Sequence, residues 1–338
     1  MVLRAPSDLV VEDVAQPKTG AGEVLVRITH SGVCGTDWKI FNGSIPVPYP
    51  LIPGHEMAGE IVAAGADLMD ADPQVRPGAR VVIDPETYCG KCFQCRIGNT
   101  HLCPNGTLIG RDVNGGFAEY LMVPATQVFP LPAAISDRTA PMIQVLTTCL
   151  HSQRQVPTFP GDTVAVLGLG VTGQLHAQLS KARGARVIGV TRSAEKRALA
   201  ERLGTDVTIP GGPEAIQRVK DATEGRGADL VIETTGVLKS LADAIHMTRP
   251  GGKVLLFGIY TVKEGSLPFY DVYFKEISLI SGRVAKAEDY PACISLVERG
   301  QVQLEPLVSD VMPLGSLEAA IGLLSSDSGQ RMKIILEH

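Results

Sequence analysis

The sequence predicts a two-part α/β protein, a β-rich half joined to a doubly wound parallel sheet. Three observations carry this. From Thr163 onward, short apolar strands alternate with amphipathic helices, the pattern of a parallel sheet covered on both faces. Before about Gln144, short alternating apolar runs are broken by Pro46, Pro48, Pro50 and Pro53, which reads as strands and irregular loops. After about residue 284 the strand–helix series stops, and a separate tail follows.

In the first half the predicted strands are Val24–Ile28, Gly59–Val62, Arg80–Ile83 and Gly116–Val123, with an exposed loop from Ala66 to Pro77 that carries Asp67, Asp70 and Asp72. A cysteine-rich lobe occupies 84–104. In the second half the strands are Val164–Leu167, Val187–Val190, Leu230–Glu233, Val254–Phe257 and Ile277–Ser281, separated by helical patterns over 172–183, 194–203, 213–223 and 238–248. The tail holds a helix near 288–298, a Pro-bounded strand, a helix near 316–325 and a last strand over Met332–Leu336.

At 338 residues the chain is long enough for two domains and a sizeable core. Its 44% apolar and 20% charged residues are ordinary for a soluble globular protein. A net charge of −5 without blocks of like charge argues against nucleic acid or a membrane surface as partner. No apolar run reaches the roughly 18 residues that a membrane span needs, and Met1–Pro6 has no signal-peptide core. The expected location is cytoplasmic and the expected partner a small molecule.

Two groups of residues suit metal. Cys34 and His55 are good zinc donors, with the Thr36 hydroxyl and the Asp37 carboxylate close to the cysteine in sequence; a soft thiolate, an imidazole and an incomplete shell suit a catalytic zinc with one open position. Cys89, Cys92, Cys95 and Cys103 form C-x2-C-x2-C-x7-C, four of the seven cysteines. Four thiolates close a tetrahedral shell around Zn²⁺, so this site reads as structural. An iron–sulfur cluster also takes four thiolates, and four unligated cysteines are the plain alternative.

A dinucleotide site is indicated next. Val164–Leu167 runs into Gly168-Leu169-Gly170-Val171-Thr172-Gly173, a G-x-G-x-x-G turn between a strand and a helix. Gly168 allows the tight turn, Gly170 admits the pyrophosphate and Gly173 packs the helix on the sheet. The following strand would end in an acid for NAD, which grips the ribose 2′-OH. Here it ends in Thr191-Arg192-Ser193, with Lys196 and Arg197 one turn on. Hydroxyls and guanidinium groups suit a 2′-phosphate, so NADP is expected over NAD.

Together these residues resemble the zinc-containing medium-chain alcohol dehydrogenase family, nearest its threonine, glucose and polyol dehydrogenases. The resemblance rests on Gly32–Asp37, Gly54-His55-Glu56 with Gly59, Arg76–Val81, the four-cysteine lobe, Gly116–Tyr120 and the glycine turn. It implies a GroES-like catalytic domain built from 1–145 and 284–338, with a Rossmann domain inserted at 146–283. It implies two zincs per chain. Cys34 and His55 would be ligands, Glu56 a ligand or its exchange partner, Thr36 the group that bonds the substrate hydroxyl and passes on its proton, and Asp37 the residue that orients His55. Charge counting favours Glu56, because one thiolate, one imidazole and one carboxylate bring Zn²⁺ to neutrality. The family commonly supplies a further Cys or Glu ligand where this chain has Gln144, a poorer donor. Lys39 stands where several relatives have a proton-relaying histidine. Relatives form dimers or tetramers, so a homo-oligomer is expected.

The expected activity is hydride transfer between NADP and a secondary alcohol or ketone, such as a polyol, sugar, cyclitol or amino-alcohol. A non-zinc quinone or enone reductase, and a cofactor-binding relative without catalysis, are the alternatives.

Overall fold

The computed structural model describes residues 1–68, 74–325 and 331–338; Asp70 and Asp72 of the expected acidic loop lie outside the described residues. The first half opens with a hairpin of β1 (Val2–Ala5) and β2 (Asp8–Val10). The strands β3 (Glu23–Val33), β4 (Glu56–Ala64), β5 (Arg80–Ile83), β6 (Tyr120–Pro124) and β7 (Val128–Pro130) follow, with helix α1 (Gly35–Phe41) directly after β3 and the one-turn α2 (Phe93–Arg96) in the cysteine lobe. Helix α3 (Met142–Arg154) links the halves.

The second half alternates strand and helix as its sequence pattern requires. It contains β8 (Thr163–Leu167), α4 (Val171–Ala182), β9 (Arg186–Thr191), α5 (Ala194–Arg202), β10 (Val207–Pro210), α6 (Ala215–Asp221), β11 (Ala228–Glu233), α7 (Leu238–Met247), β12 (Thr248–Leu256), α8 (Phe269–Phe274) and β13 (Ser278–Ser281). The sheet order is β10-β9-β8-β11-β12-β13 and every pairing is parallel. The chain order therefore reverses between β8 and β11, the switch point where such sheets bind ligands beyond the carboxyl ends of their strands.

The tail contributes α9 (Asp289–Glu298), β14 (Val308–Pro313), α10 (Leu317–Ser325) and β15 (Lys333–Glu337). It returns to the first half: β15 lies antiparallel to β3, with Ile334 opposite Val33, in a seven-stranded sheet of order β14-β15-β3-β4-β5-β7 in which β6 also pairs with β3. One apolar cluster spans the halves, joining Val82 of β5, Leu146 and Cys149 of α3, Leu175 of α4 and Tyr290 of α9. Burial on both flanks makes α3 a bridge, and it carries Gln144 in its first turn.

Two expectations are corrected in detail. The strand anticipated over Gly116–Val123 begins only at Tyr120, because residues 115–119 turn beneath β4. A side chain at Gly116 would meet the Met57 sulfur at 2.5 Å. The short edge strand β10 was not anticipated; four residues ending in proline carry too little periodicity to announce it.

Candidate metal centres and cofactor cleft

Cys34 sits where β3 gives way to α1, with extended backbone at the helix N-cap. Asp37, three residues on and 1% exposed, accepts the Cys34 backbone N–H through Oδ2 at 2.8 Å. Its other oxygen, Oδ1, lies 3.3 Å from His55 Nδ1. One carboxylate thus accepts the cysteine backbone N–H and stands beside Nδ1 of the histidine ring. His55 immediately precedes β4 and Glu56 opens it, lying opposite Gly32 across the β3–β4 ladder. Gly32 has to be glycine: a Cβ there would stand 2.0 Å from the Glu56 carboxylate. The donors of Cys34, His55 and Glu56 all lie within 4.8 Å of one another.

The donor set suits a cation. Burial opposes charge on His55, but Asp37 and Cys34 outweigh it and hold the imidazole well above its ordinary value. A buried ring that favours protonation between a carboxylate and a thiol marks a place where positive charge is stabilised.

Glu56 has a second partner that sequence reasoning missed. Lys333, 5% exposed at the start of β15, donates to both Glu56 oxygens at 2.8 and 2.7 Å and to the Val33 carbonyl at 3.2 Å. Burial would lower the Lys333 pKa, but Glu56, Cys34 and Asp37 raise it above its usual value. The β15–β3 register explains the position, since Ile334 opposite Val33 sets Lys333 beside Cys34. No sequence signal relates two residues 277 positions apart, though a lysine in an otherwise apolar strand could have prompted the question.

Gln144 is 8% exposed, and its amide has no hydrogen-bond partner among the described residues. Cys149 is buried and turns its thiol toward the Thr172 carbonyl at 3.9 Å. Thr36 is half-buried in the first turn of α1, and its hydroxyl makes no hydrogen bond among the described residues. Lys39, in the same helix, is half-buried and likewise forms no ion pair among the described residues.

In the lobe, the Cys92–Cys95, Cys92–Cys103 and Cys89–Cys103 sulfurs are 3.5, 3.8 and 3.6 Å apart. A tetrahedral ion with bonds of about 2.3 Å sets its thiolates about 3.8 Å apart. The sulfurs therefore fit one ion, and a multi-iron cluster would hold them wider apart. Backbone N–H groups of Lys91 and Cys92 draw the Cys89 thiol down to about 6, while desolvation and the neighbouring thiols push Cys95 up to about 12.

The cofactor cleft lies at the carboxyl ends of β8, β9, β10 and β11, where a cavity of 680 Å³ is lined by Gly168, Thr191, Arg192, Gly211, Thr235 and Lys239 among others. Gly168 has φ +89°, and a Cβ on Gly173 would strike the Gly168 carbonyl at 1.8 Å. A Cβ on Gly170 would enter open space, so the backbone there can approach a bound phosphate. Val171 and Thr172 start α4, while the Leu169 side chain is fully buried, leaving only its backbone to the cleft. Ser193 caps α5, accepting the Lys196 N–H at 3.2 Å. The Arg197 guanidinium donates to the Thr191 and Arg192 carbonyls at 2.9 Å, so it braces the turn. Glu195, an acid the sequence reading passed over, accepts from the Ser193 hydroxyl at 2.7 Å.

Comparison with known proteins agrees with both halves. The alcohol dehydrogenase GroES-like domain matches residues 20–133, and the zinc-binding dehydrogenase domain matches residues 171–299. The chain is 30% identical to the sorbitol dehydrogenase of Halalkalibacterium halodurans over 331 residues, 96% of this chain and 94% of that protein. A protein from Sinorhizobium meliloti 1021 assigned as a zinc-binding dehydrogenase, solved with NADP, superposes with a TM-score of 0.92 at 31% identity, covering 100% of this chain and 98% of that one. An alcohol dehydrogenase from Escherichia coli CFT073, solved with NADH, gives 0.91 at 28% identity, with 100% and 98% covered. The chain belongs to the zinc-binding alcohol dehydrogenase family, an oxidoreductase with a GroES-like domain and a Rossmann-like parallel sheet.

Proposed function

We propose that this protein is an NADP-linked zinc dehydrogenase of a secondary alcohol bearing further polar groups, a polyol, sugar, cyclitol or amino-alcohol. The observation that carries the reading is the convergence of Cys34, His55 and Glu56 donors within 4.8 Å, braced by Asp37. Cys34, His55 and Glu56 would hold a zinc that would polarise the alcohol oxygen, and NADP⁺ bound in the cleft would provide hydride-accepting chemistry. The chain's own residues supply the remainder. Asp37 orients His55, the half-buried Thr36 hydroxyl accepts the alcohol proton as it releases its own outward to solvent, Lys39 holds cofactor or polar substrate, and Gln144 offers a neutral amide. In the lobe, Cys89, Cys92, Cys95 and Cys103 hold the structural zinc. The GroES-like domain is read as 1–145 with 284–338, around a Rossmann domain at 146–283.

A polar substrate fits a second cavity of 320 Å³ beside the cysteine lobe, lined by Glu86, Thr87, His101, Cys103, Arg111 and Arg283 among others, with none of Cys34, His55 and Glu56 in its lining. Met57 opposite Ile83 in the β4–β5 ladder runs residues 84–86 alongside His55 and Glu56. Burial raises the Glu86 pKa while Arg283 and Arg111 lower it, so the cavity combines an acid, two guanidiniums and several hydroxyls. Sorbitol as the named substrate of a relative points the same way.

NADP is favoured because Arg192, exposed and without a partner for its guanidinium among the described residues, lines the adenosine cavity. Glu195 is already engaged by Ser193. A screen of secondary alcohols against both cofactors, with zinc counted per chain, tests the whole reading. A charge-assisted guanidinium–phosphate contact contributes about 1.5–3 kcal/mol, or roughly ten- to hundredfold in affinity. Arg192→Ala should weaken NADP⁺ by that factor and leave NAD⁺ nearly unchanged; equal losses, or a wild-type preference for NAD⁺, would refute the cofactor assignment. A homo-oligomer is also proposed. It is supported by the exposed Phe269, Tyr270, Tyr273 and Phe274 of α8 beside the edge strand β13, and sedimentation equilibrium tests it.

A further inference from the structure

We propose that Lys239, latched in the free protein by Asp243, is a second cationic contact for the 2′-phosphate, approaching from the wall opposite Arg192; this rests on the NADP reading above. The adenosine cavity has three ionisable residues in its lining: Arg192 on the turn after β9, and Lys239 and Asp243 on α7. Arg192 follows β9 and Lys239 lies in α7 after β11, so the two cations reach the cavity from elements on either side of β8.

Lys239 is misplaced for helix stability. It occupies the second position of α7, where the helix dipole disfavours a cation, and the first turn contains no acid. Its acidic partner lies four residues toward the C-terminus, the less favourable order for such a pair. Lys239 Nζ sits 3.1 Å from both Asp243 oxygens, with the lysine side chain 80% exposed. An exposed pair of this kind is weak and readily exchanged. A cation placed against the dipole, in the lining of the cavity and on a weak latch, is explained by an anion that arrives there. The other base of the motif does not serve, because Arg197 is committed to backbone carbonyls.

The latch also bears on selectivity. With a plain ribose, Lys239 stays on Asp243 and gains nothing by leaving. With a 2′-phosphate it exchanges a screened carboxylate for a dianion flanked by Arg192, a stronger charge-assisted contact.

Calorimetric titration with 2′,5′-ADP and 5′-AMP tests this on the intact zinc-loaded protein, since these probes report the adenosine end without turnover. Wild type should prefer 2′,5′-ADP. Lys239→Ala and Lys239→Gln should weaken 2′,5′-ADP about five- to tenfold and leave 5′-AMP within about twofold, while Lys239→Arg keeps most of the affinity. Asp243→Asn, which releases the lysine, should tighten 2′,5′-ADP about two- to threefold. If Arg192→Ala loses 2′,5′-ADP while both uncharged Lys239 variants keep it, the Lys239 assignment fails and the NADP reading stands. If both probes weaken equally, Lys239 serves a group common to both, and the 2′-phosphate assignment fails. If wild type binds the two probes alike, the NADP reading falls and this inference with it.

Discussion

Asp37 illustrates what residue spacing could and could not tell. Its place three residues after Cys34 was legible, while a role in orienting His55 was only what the family resemblance implied; that its Oδ2 accepts the Cys34 N–H and its Oδ1 lies 3.3 Å from His55 Nδ1 needed the turn geometry. Glu56 shows the opposite case. Charge counting treated its carboxylate as free to neutralise zinc, whereas in the fold it already faces the buried Lys333 ammonium. With Lys333 included, thiolate, carboxylate and ammonium around Zn²⁺ sum to +1, and the buried Asp37 carboxylate beside His55 returns the whole cluster to neutrality. The pair also changes what a substitution does. Removing one partner of a buried pair strands the other charge and costs about 3–5 kcal/mol. Glu56→Gln and Lys333→Met should therefore each lower the melting temperature sharply, and the double variant Glu56→Gln/Lys333→Met should recover most of the loss. Zinc counted on the double variant then isolates the donor role of Glu56 from its structural role. If the single variants melt like wild type, or the double variant is the least stable of the set, the coupling is not there.

At the scale of elements, the long alternation of strand and helix from Thr163 was legible because each element carries its own period. Edges and turns were not, since their conformation depends on what they pack against: β10 is too short for a pattern, and residues 116–119 yield to Met57. Strand β5 offers a prediction of its own. At its end Asp84 is buried, and desolvation pushes its carboxyl up to about 7 from an ordinary 3.8, with the Glu86 N–H and the Tyr290 hydroxyl only partly offsetting this. Between about pH 4 and 7 the unfolded chain has released a proton that the folded chain keeps. The stability that proton confers is complete below about pH 4 and is lost as pH rises through 7. Asp84→Asn keeps an acceptor for both donors and removes the titration. Melting curves across pH 4.5–8 should show wild type losing ground to Asp84→Asn as pH rises. Parallel curves would contradict the assignment.

For the whole molecule, the two candidate metal centres stand on different footings, and this bears on what metal withdrawal should do. Cys34, His55 and Glu56 are brought together by an eleven-residue strand, its antiparallel partner and a strand from the far end of the chain. Asp37 and Lys333 brace them further, so the fold assembles this centre without help from the ion. The cysteine lobe is different. It holds only a single helical turn of four residues and a short 3-10 turn, and none of its four cysteines is buried. The lobe has little apolar core of its own, so a zinc bound there would supply folding energy directly. A chelator such as dipicolinate should reach the catalytic zinc first, because that shell keeps an open position. Activity should vanish with the first equivalent of zinc while the circular dichroism stays unchanged and the melting temperature falls little. Loss of the second equivalent, or Cys95→Ser with one zinc fewer from the start, should lower melting much more. Full metal content and wild-type melting in Cys95→Ser would overturn the structural assignment. A first equivalent lost with full retention of activity would show that the reacting alcohol does not depend on the Cys34–His55 centre.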